Sequence, residues 1–214
     1  MRVDPNLAFE CRFWRCGCTY VAGMDEAGRG ALAGPIAVGA VILPPTRHRT
    51  SGGSPRQSRH LLRGVRDSKQ MTAGERELAA DRIKVHALAW CVGFASADEI
   101  DSTGIVGAGR LAALRALEGL GFFPEALLTD FRLELPELDI PQASLVKGDA
   151  CCMSIAAASV LAKTARDAIM REMDMQLPGY GLAQHKGYGT RLHRLAIQRM
   201  GRSPFHRWTF STGL

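Results

Sequence analysis

"VAGMDEAGRG", residues 21–30, carries a short apolar run straight into two adjacent carboxylates, Asp25 and Glu26, and then into Gly28-Arg29-Gly30. Two acids at the end of a segment that reads as a buried strand are expensive to fold around. The next apolar run, "PIAVGAVIL" (35–43), is rich in β-branched residues and stops at Pro44-Pro45, which predicts a second buried strand. The two runs suggest a hairpin-like pair joined by the glycine-rich stretch 27–34.

Working outward, residues 46–60 are polar and basic with Gly-Gly and Pro, the composition of an exposed, mobile loop. "MTAGERELAADRIKVHAL" (71–88) reads as a helix, with Thr72 and Glu75 at capping-box spacing. "AWCVGFAS" (89–96) returns to strand character. "GAGRLAALRALEGLG" (107–121) places Leu111, Leu114, Leu117 and Leu120 at helical spacing and closes on Gly121. Two short strands follow, "EALLTD" (125–130) and "ASLVKGD" (143–149). A long helix over 153–177 is rich in alanine, which suggests close packing on a sheet. After Pro178-Gly179 come the turn "HKGYGT" (185–190), a basic helix near 190–200 and a tail. Strands that first run together and then alternate with helices predict one mixed α/β sheet flanked by helices, with a helical C-terminal appendage.

At 214 residues, 46% hydrophobic and 22% charged, the chain has material for one ordinary core. No apolar run approaches the roughly 18 residues of a membrane span. The N-terminus places Asp4 and Glu10 where a secretory leader would be apolar. A cytoplasmic protein is expected. Six cysteines do not alter this: Cys11, Cys16 and Cys18 lack an obvious fourth zinc ligand nearby, and reduced thiols are the simpler reading.

Charge is more telling. After Asp174 there is no Asp or Glu, while Lys186, Arg191, Arg194, Arg199, Arg202 and Arg207 all follow it. Without those six, 21 basic residues balance 21 acidic ones, so the whole net charge of +6 lies in the last forty residues. Such a stretch is either a solvated tail or a phosphate-binding surface, and Tyr188, Phe205 and Trp208 add possible sugar or base contacts.

Four carboxylates share one context: Asp25 and Glu26 end the first strand, Asp130 ends "EALLTD" and Asp149 ends "ASLVKGD". Gathered at one sheet edge they would repel, and two divalent cations would offset the four negative charges. Oxygen ligands of this kind suit Mg²⁺ or Mn²⁺ rather than zinc. Two such ions can activate a water and stabilise the leaving oxygen in an in-line displacement at phosphorus. In a regular strand Asp25 and Glu26 point to opposite faces, so a strand end or bulge is expected at Glu26. Gly28 and Gly30 permit a close backbone approach to a ligand, and Arg29 brings a phosphate-binding fork.

These residues resemble a known family. "MDEAGRGALAGP", "RDSKQMTAGER", "SLVKGDACCMSIAAASVLAKTARD", "GYGLAQHKGYGT" and "HRWTF", in this order over about residues 20–210, are similar to the motifs of the type 2 ribonucleases H, the ribonuclease HII family. The resemblance implies an RNase H-like fold: a five-stranded mixed sheet flanked by helices, with a C-terminal helical extension. It divides the chain into an N-terminal extension (1–19), a catalytic domain (20–174) and a basic C-terminal extension (175–214). It implies a monomeric endoribonuclease that cleaves the RNA strand of RNA–DNA hybrids and single ribonucleotides embedded in duplex DNA. The reaction would use two Mg²⁺ or Mn²⁺ ions and leave 5′-phosphate and 3′-hydroxyl ends. The family's metal-binding carboxylates fall on Asp25, Glu26, Asp130 and Asp149. Its Gly-Arg-Gly contact to the ribose 2′-hydroxyl falls on Gly28, Arg29 and Gly30, and its junction-sensing tyrosine on Tyr188. Lys69 is expected near the substrate backbone. Asp167 belongs to the Arg-Asp helix ending, where an ion pair with Arg166 or Lys163 is expected. Phe131 stands where the family usually has glycine, "ACCMS" replaces a more polar segment, and the 46–60 loop is longer than usual.

Overall fold

The computed structural model describes residues 4–45, 62, 64–65, 68–131 and 133–213; the loop expected over 46–60 lies outside them. Strand β1 (Val21–Ala27) and strand β2 (Ile36–Ile42) form the expected antiparallel pair, in register from Ala22 opposite Ile42 to Ala27 opposite Ala37. Strand β3 (Ala89–Ala95) adds antiparallel to β2. Strands β4 (Ala126–Asp130) and β5 (Gln142–Leu145) add in parallel on the other side of β1. The order β3-β2-β1-β4-β5 makes this a five-stranded mixed sheet, with β1 in the middle. Every residue of β2 is buried, as its unbroken apolar run requires.

Seven α-helices are seen among the described residues, α1 (Ala8–Arg15), α2 (Ala73–His86), α3 (Ala97–Glu118), α4 (Gly148–Cys151), α5 (Met153–Gln176), α6 (Leu182–His185) and α7 (Arg191–Met200), with a 3₁₀ turn at Ser68–Gln70. On one face of the sheet, Ala108, Ala112, Ala113 and Ala116 of α3 cover Met24, Ile36, Val38 and Ala40. On the other face Ala156, Ala157, Ala158 and Val160 of α5 pack with Val41, and α2 lies behind through Ala79, Ala80 and Ile83. The contact with α5 is backbone-close: a Cβ on Gly39 would sit 2.3 Å from the Ala158 carbonyl oxygen. The alanines of α5 are what allow its axis to come so near the sheet. Helix α1 fills the flank beside β4 with Phe9, Phe13 and Trp14, against Val21, Ala126, Leu128, Cys152 and Ile155. Its buried Glu10 accepts the Ser154 N–H at 2.7 Å and so caps α5 from outside that helix.

The structure corrects three local expectations. Helix α3 begins at Ala97 rather than near 107, because Ser96 and Glu99 form a capping box and the helix continues past a break at Gly104. The segment 143–149 is not strand to its end: β5 stops at Leu145, and Lys147 takes left-handed backbone (φ 55°) that turns the chain into α4. Asp149 therefore sits in the first turn of a short helix. Nor does β1 end or bulge at Glu26; its pairing with β2 runs unbroken through Asp25–Gly39, Glu26–Val38 and Ala27–Ala37.

Candidate active site

Because β1 is central, its C-terminal end lies between β2 and β4, and the register that pairs Met24 with Thr129 brings Asp130 alongside it. Asp130 Oδ1 accepts the Gly148 N–H at 2.9 Å, which ties β4 to the turn that presents Asp149. A cavity of about 400 Å³ opens at this edge. Asp25, Glu26, Asp130, Asp149, Gly28, Arg29, Gly30, Lys69 and Tyr188 all line it, together with Ser68, Phe131, Lys163 and Ser159. Consecutive residues Asp25 to Arg29 contribute, so the cavity wraps the end of β1 and takes side chains from both strand faces. That geometry removes the need for a bulge.

The acidic wall is electrostatically tense. Asp25, buried beside α5, has its carboxyl held well above the usual carboxylate range, first by burial and then by Glu26, with Asp130 and Asp149 adding to it. Burial also raises Glu26, while Arg29 and Lys69 oppose the shift and Asp130 reinforces it. Glu26 Oε2 is buried and has no hydrogen-bond partner. Lys69 Nζ, on an otherwise exposed side chain, lies 3.3 Å from Asp149 Oδ2. Among the described residues no three His, Cys, Asp or Glu side chains form a preassembled metal-ligand cluster. The four carboxylates share the cavity, with Asp149 and Asp130 engaged by Lys69 and the Gly148 N–H.

The glycine loop that lines the cavity is held by two buried arginines outside the lining. Gly28 has φ +89°, and a Cβ there would meet the Arg166 guanidinium at 2.0 Å, so only glycine fits. Arg166, fully buried on α5, donates to the carbonyls of Ala33, Pro35 and Lys186 at 3.1, 2.8 and 2.9 Å. Arg207, 1% exposed, donates to the carbonyls of Gly28, Arg29 and Gly34 at 2.8, 2.9 and 3.0 Å. Tyr188 pairs with Ala31 across an isolated bridge, and its half-open ring lies 5.8 Å from Lys163 Nζ and 5.6 Å from Arg166 Cζ.

The basic tail is thus divided. Arg207 is buried, and Arg202 donates to the carbonyls of Arg207, Trp208 and Phe210. Lys186 Nζ donates to the Ala183 carbonyl, whereas Arg191, Arg194 and Arg199 stand exposed on α7. Asp101 on α3 accepts the backbone N–H groups of Trp208 and Thr209, anchoring the tail to the sheet layers. Asp167 pairs with Lys163 at 2.7 Å as expected; its second partner is Arg76 at 3.3 Å, while the Arg166 guanidinium goes to carbonyls instead. None of the six cysteines, all among the described residues, forms a disulfide. Cys152 points into the core toward Glu10, 3.2 Å away, and neither Cys151 nor Cys152 lines the cavity. Among the described residues no helix is long and apolar enough to cross a membrane.

The sequence matches the family described as Ribonuclease HII over residues 22–213. Ribonuclease HII of Myxococcus xanthus is 46% identical over 211 residues, covering 98% of this chain and 67% of that one. Ribonuclease HII of Dehalococcoides mccartyi is 45% identical over 209 residues, covering 98% and 94%. Among solved structures, the RNase HII of Archaeoglobus fulgidus in complex with PCNA superposes with a TM-score of 0.71 at 22% identity, covering 90% of this chain and 95% of that one. Bst-RNase HIII in complex with Mn²⁺ does so with a TM-score of 0.65 at 19% identity, covering 91% and 68%. The fold is shared with both structures, and the sequence match spans nearly the whole chain. The chain belongs to the ribonuclease HII family of metal-dependent ribonucleases.

Proposed function

We propose that this chain hydrolyses the RNA strand of RNA–DNA duplexes and nicks DNA duplexes at single embedded ribonucleotides, leaving 5′-phosphate and 3′-hydroxyl ends. The observation that carries the proposal is the shared cavity, lined at once by four carboxylates, the Gly28-Arg29-Gly30 loop and Tyr188. An all-oxygen donor set suits Mg²⁺ or Mn²⁺. The orphaned Glu26 Oε2 and the raised Asp25 carboxyl are what such a set looks like before its charge is balanced. Asp25, Glu26, Asp130 and Asp149 would hold two ions. When bound, they supply water activation and charge neutralisation at the phosphate.

The remaining chemistry belongs to the protein. Only a 2′-hydroxyl distinguishes the ribose locally, so recognition needs backbone brought close to the sugar. Gly30 leaves that approach open, since a Cβ there would meet nothing within 4 Å, while Gly28 makes room for Arg166 and Arg207 holds the Gly28 and Arg29 carbonyls rigid behind the loop. Arg29 and Lys69 reach the phosphate path, and the Tyr188 ring packs on the deoxyribose that follows the ribonucleotide. The exposed Arg191, Arg194 and Arg199 of α7 hold flanking phosphates without reading sequence. Purified protein with Mg²⁺ or Mn²⁺ is expected to nick a duplex holding one ribonucleotide and to leave an all-DNA duplex intact. Equal cutting of both, or cutting indifferent to EDTA, would overturn the proposal.

A further inference from the structure

Behind Tyr188 lies a group of three histidines that the cavity does not use. His193 and His206 are essentially fully buried (0% and 1%), and their rings join through Nε2 to Nε2 at 3.1 Å. The far nitrogen of His206, Nδ1, receives the Ser203 N–H at 3.0 Å, with Ser203 Oγ 2.8 Å from the same atom. The far nitrogen of His193, Nδ1, lies 3.0 Å from the Tyr188 carbonyl oxygen.

These contacts admit one proton arrangement. A backbone N–H can only donate, so His206 Nδ1 is an acceptor and its proton resides on Nε2. That proton is donated to His193 Nε2, which must be bare. The His193 proton is then on Nδ1, where it meets the Tyr188 carbonyl. A charged His193 would set two N–H groups against each other across the 3.1 Å contact, and a charged His206 would set its Nδ1–H against the Ser203 N–H. His185 supports the pair by stacking on His193, with centroids 4.3 Å apart and planes 20° apart. The same logic fixes His185: Nδ1 accepts the Gly187 N–H at 3.2 Å, so Nε2 donates to the Tyr180 carbonyl at 2.8 Å. Tyr180 lies against His206 at 4.9 Å, and Arg202 is the nearby cation.

We infer that His206 and His193 form a neutral, one-directional hydrogen-bond relay from the Ser203 backbone to the Tyr188 carbonyl, making both histidines positioning residues for the Tyr188 ring. The relay grips the carbonyl from behind, while Lys163 and Arg166 flank the ring from α5. The Tyr188 carbonyl also accepts the Thr190 N–H at 2.7 Å and the Tyr188 N–H donates to the His185 carbonyl at 3.0 Å, so the relay is a further tie that sets the pitch of a turn already bridged to Ala31. The role assigned to the ring rests on the function proposed above; the proton arrangement does not.

Two measurements test the relay. Imidazole ¹⁵N–¹H correlation spectra of the metal-free protein at pH 7 should show His193 protonated only at Nδ1 and His206 only at Nε2. The opposite tautomer, or a charged ring, overturns the relay whether or not the protein cuts anything. The second is a mutant cycle read as kcat/KM on a single-ribonucleotide duplex. His193→Ala should cost about tenfold when Tyr188 is present, since a displaced contact of this kind weakens catalysis without abolishing it. In a Tyr188→Ala background it should cost less than about twofold. His193→Asn, which keeps an N–H near the Tyr188 carbonyl, should recover activity to within about threefold of wild type. Equal losses in both backgrounds, or no loss in either, would overturn the positioning role. A wild-type protein that fails to nick the duplex would count against the proposed function alone and leave the tautomer result standing.

Discussion

Arg207 and Gly28 stand 179 positions apart in the chain, yet Arg207 Nη2 donates to the Gly28 carbonyl at 2.8 Å in a buried setting. The same guanidinium takes the Arg29 and Gly34 carbonyls. The last residues of the chain are therefore structural partners of the loop that would face the sugar. Burial and the neighbouring Arg166 push Arg207 down to about 9, so it remains charged at neutral pH. Arg207→Met should strand three buried carbonyls and cost roughly 3 kcal/mol or more, since charge-assisted bonds contribute about 1.5–3 kcal/mol each. A melting-temperature drop of roughly 6–12 °C is expected for a chain of this size. Arg207→Lys, able to satisfy one or two of the carbonyls, should fall between. Thermal unfolding by circular dichroism checks both, and an unchanged melting temperature in Arg207→Met would refute the clamp.

Asp25→Asn separates function from folding. The wild-type carboxylate is buried beside Glu26 and pushed by Asp130 and Asp149, so its charge opposes the fold while no cation is present. The neutral amide removes that repulsion. In EDTA the variant should melt at a temperature equal to or above that of wild type. Nicking should fall by about a hundredfold or more, since even groups that only support metal ligands typically cost about 10–100-fold when lost. Millimolar Mg²⁺ or Mn²⁺ should raise the wild-type melting temperature by mass action and raise the variant's less. A variant that melts well below wild type in EDTA would mean Asp25 is mainly structural.

The contrast between these two residues shows what a sequence displays and what it hides. Asp25, Glu26 and Asp130 were legible because an acid ending an apolar run breaks the pattern around it. Asp149 was legible as a residue but placed on the wrong element, because nothing in "ASLVKGD" announces the left-handed Lys147 that ends β5 early. The first turns of α3 are hard to read because "ADEIDSTG" is polar and holds a glycine, although Ser96 and Glu99 have the spacing of the capping box they form. Arg207 read as one more cation of a basic tail. Its burial depends on carbonyls supplied by residues far away in the chain, and no local pattern encodes that. The histidine relay is hidden for the same reason: His185, His193 and His206 share no helical or strand spacing and meet only once α6 and α7 fold back.

The pH dependence of stability should carry the signature of the buried histidines. Burial, with His185 and His206 alongside, brings His193 down from 6.5 to about 4. Burial also lowers His206, with Arg202 and His185 adding to the effect. A base with a depressed folded value stays neutral in the native state while the unfolded chain takes up a proton. Its contribution is therefore present above about pH 6.5 and drains away as pH falls toward 4. Wild-type melting temperature should decline more steeply from pH 6.5 to 4.5 than that of His193→Asn, which has no proton to gain at that position. Parallel slopes for the two proteins would show that the histidine titration is not coupled to folding.

Tyr188 tests which part of the side chain matters. Its ring faces the cavity with Lys163 and Arg166 at cation–ring distance, and a ring face works equally well without the hydroxyl. Tyr188→Phe should keep kcat/KM on a single-ribonucleotide duplex within about threefold. Tyr188→Ala should lower it by roughly ten- to hundredfold, as loss of one stacking partner costs about 1–3 kcal/mol. Full activity in the alanine variant would remove the ring from the mechanism.

Phe131 is the departure that invites the idea of a damaged active site, and its geometry argues otherwise. Its backbone does not occupy the left-handed region that favours glycine. Its N–H donates to the Leu145 carbonyl at 3.0 Å, continuing the β4–β5 pairing that positions Asp130. The ring is 58% exposed and lines both the carboxylate cavity and an adjoining groove bounded by Arg29, Val106 and Arg110. An exposed ring contributes little to the core, so Phe131→Gly should shift the melting temperature by no more than about 2–4 °C, the extra backbone freedom of glycine accounting for most of it. Since the carboxylates keep their places, kcat at saturating substrate should stay within about threefold. KM should rise, because the ring offers apolar surface along the path into the cavity. A large gain in kcat for Phe131→Gly would mean that the phenylalanine obstructs the reaction, and the chain would then be a hybrid-binding protein with suppressed turnover.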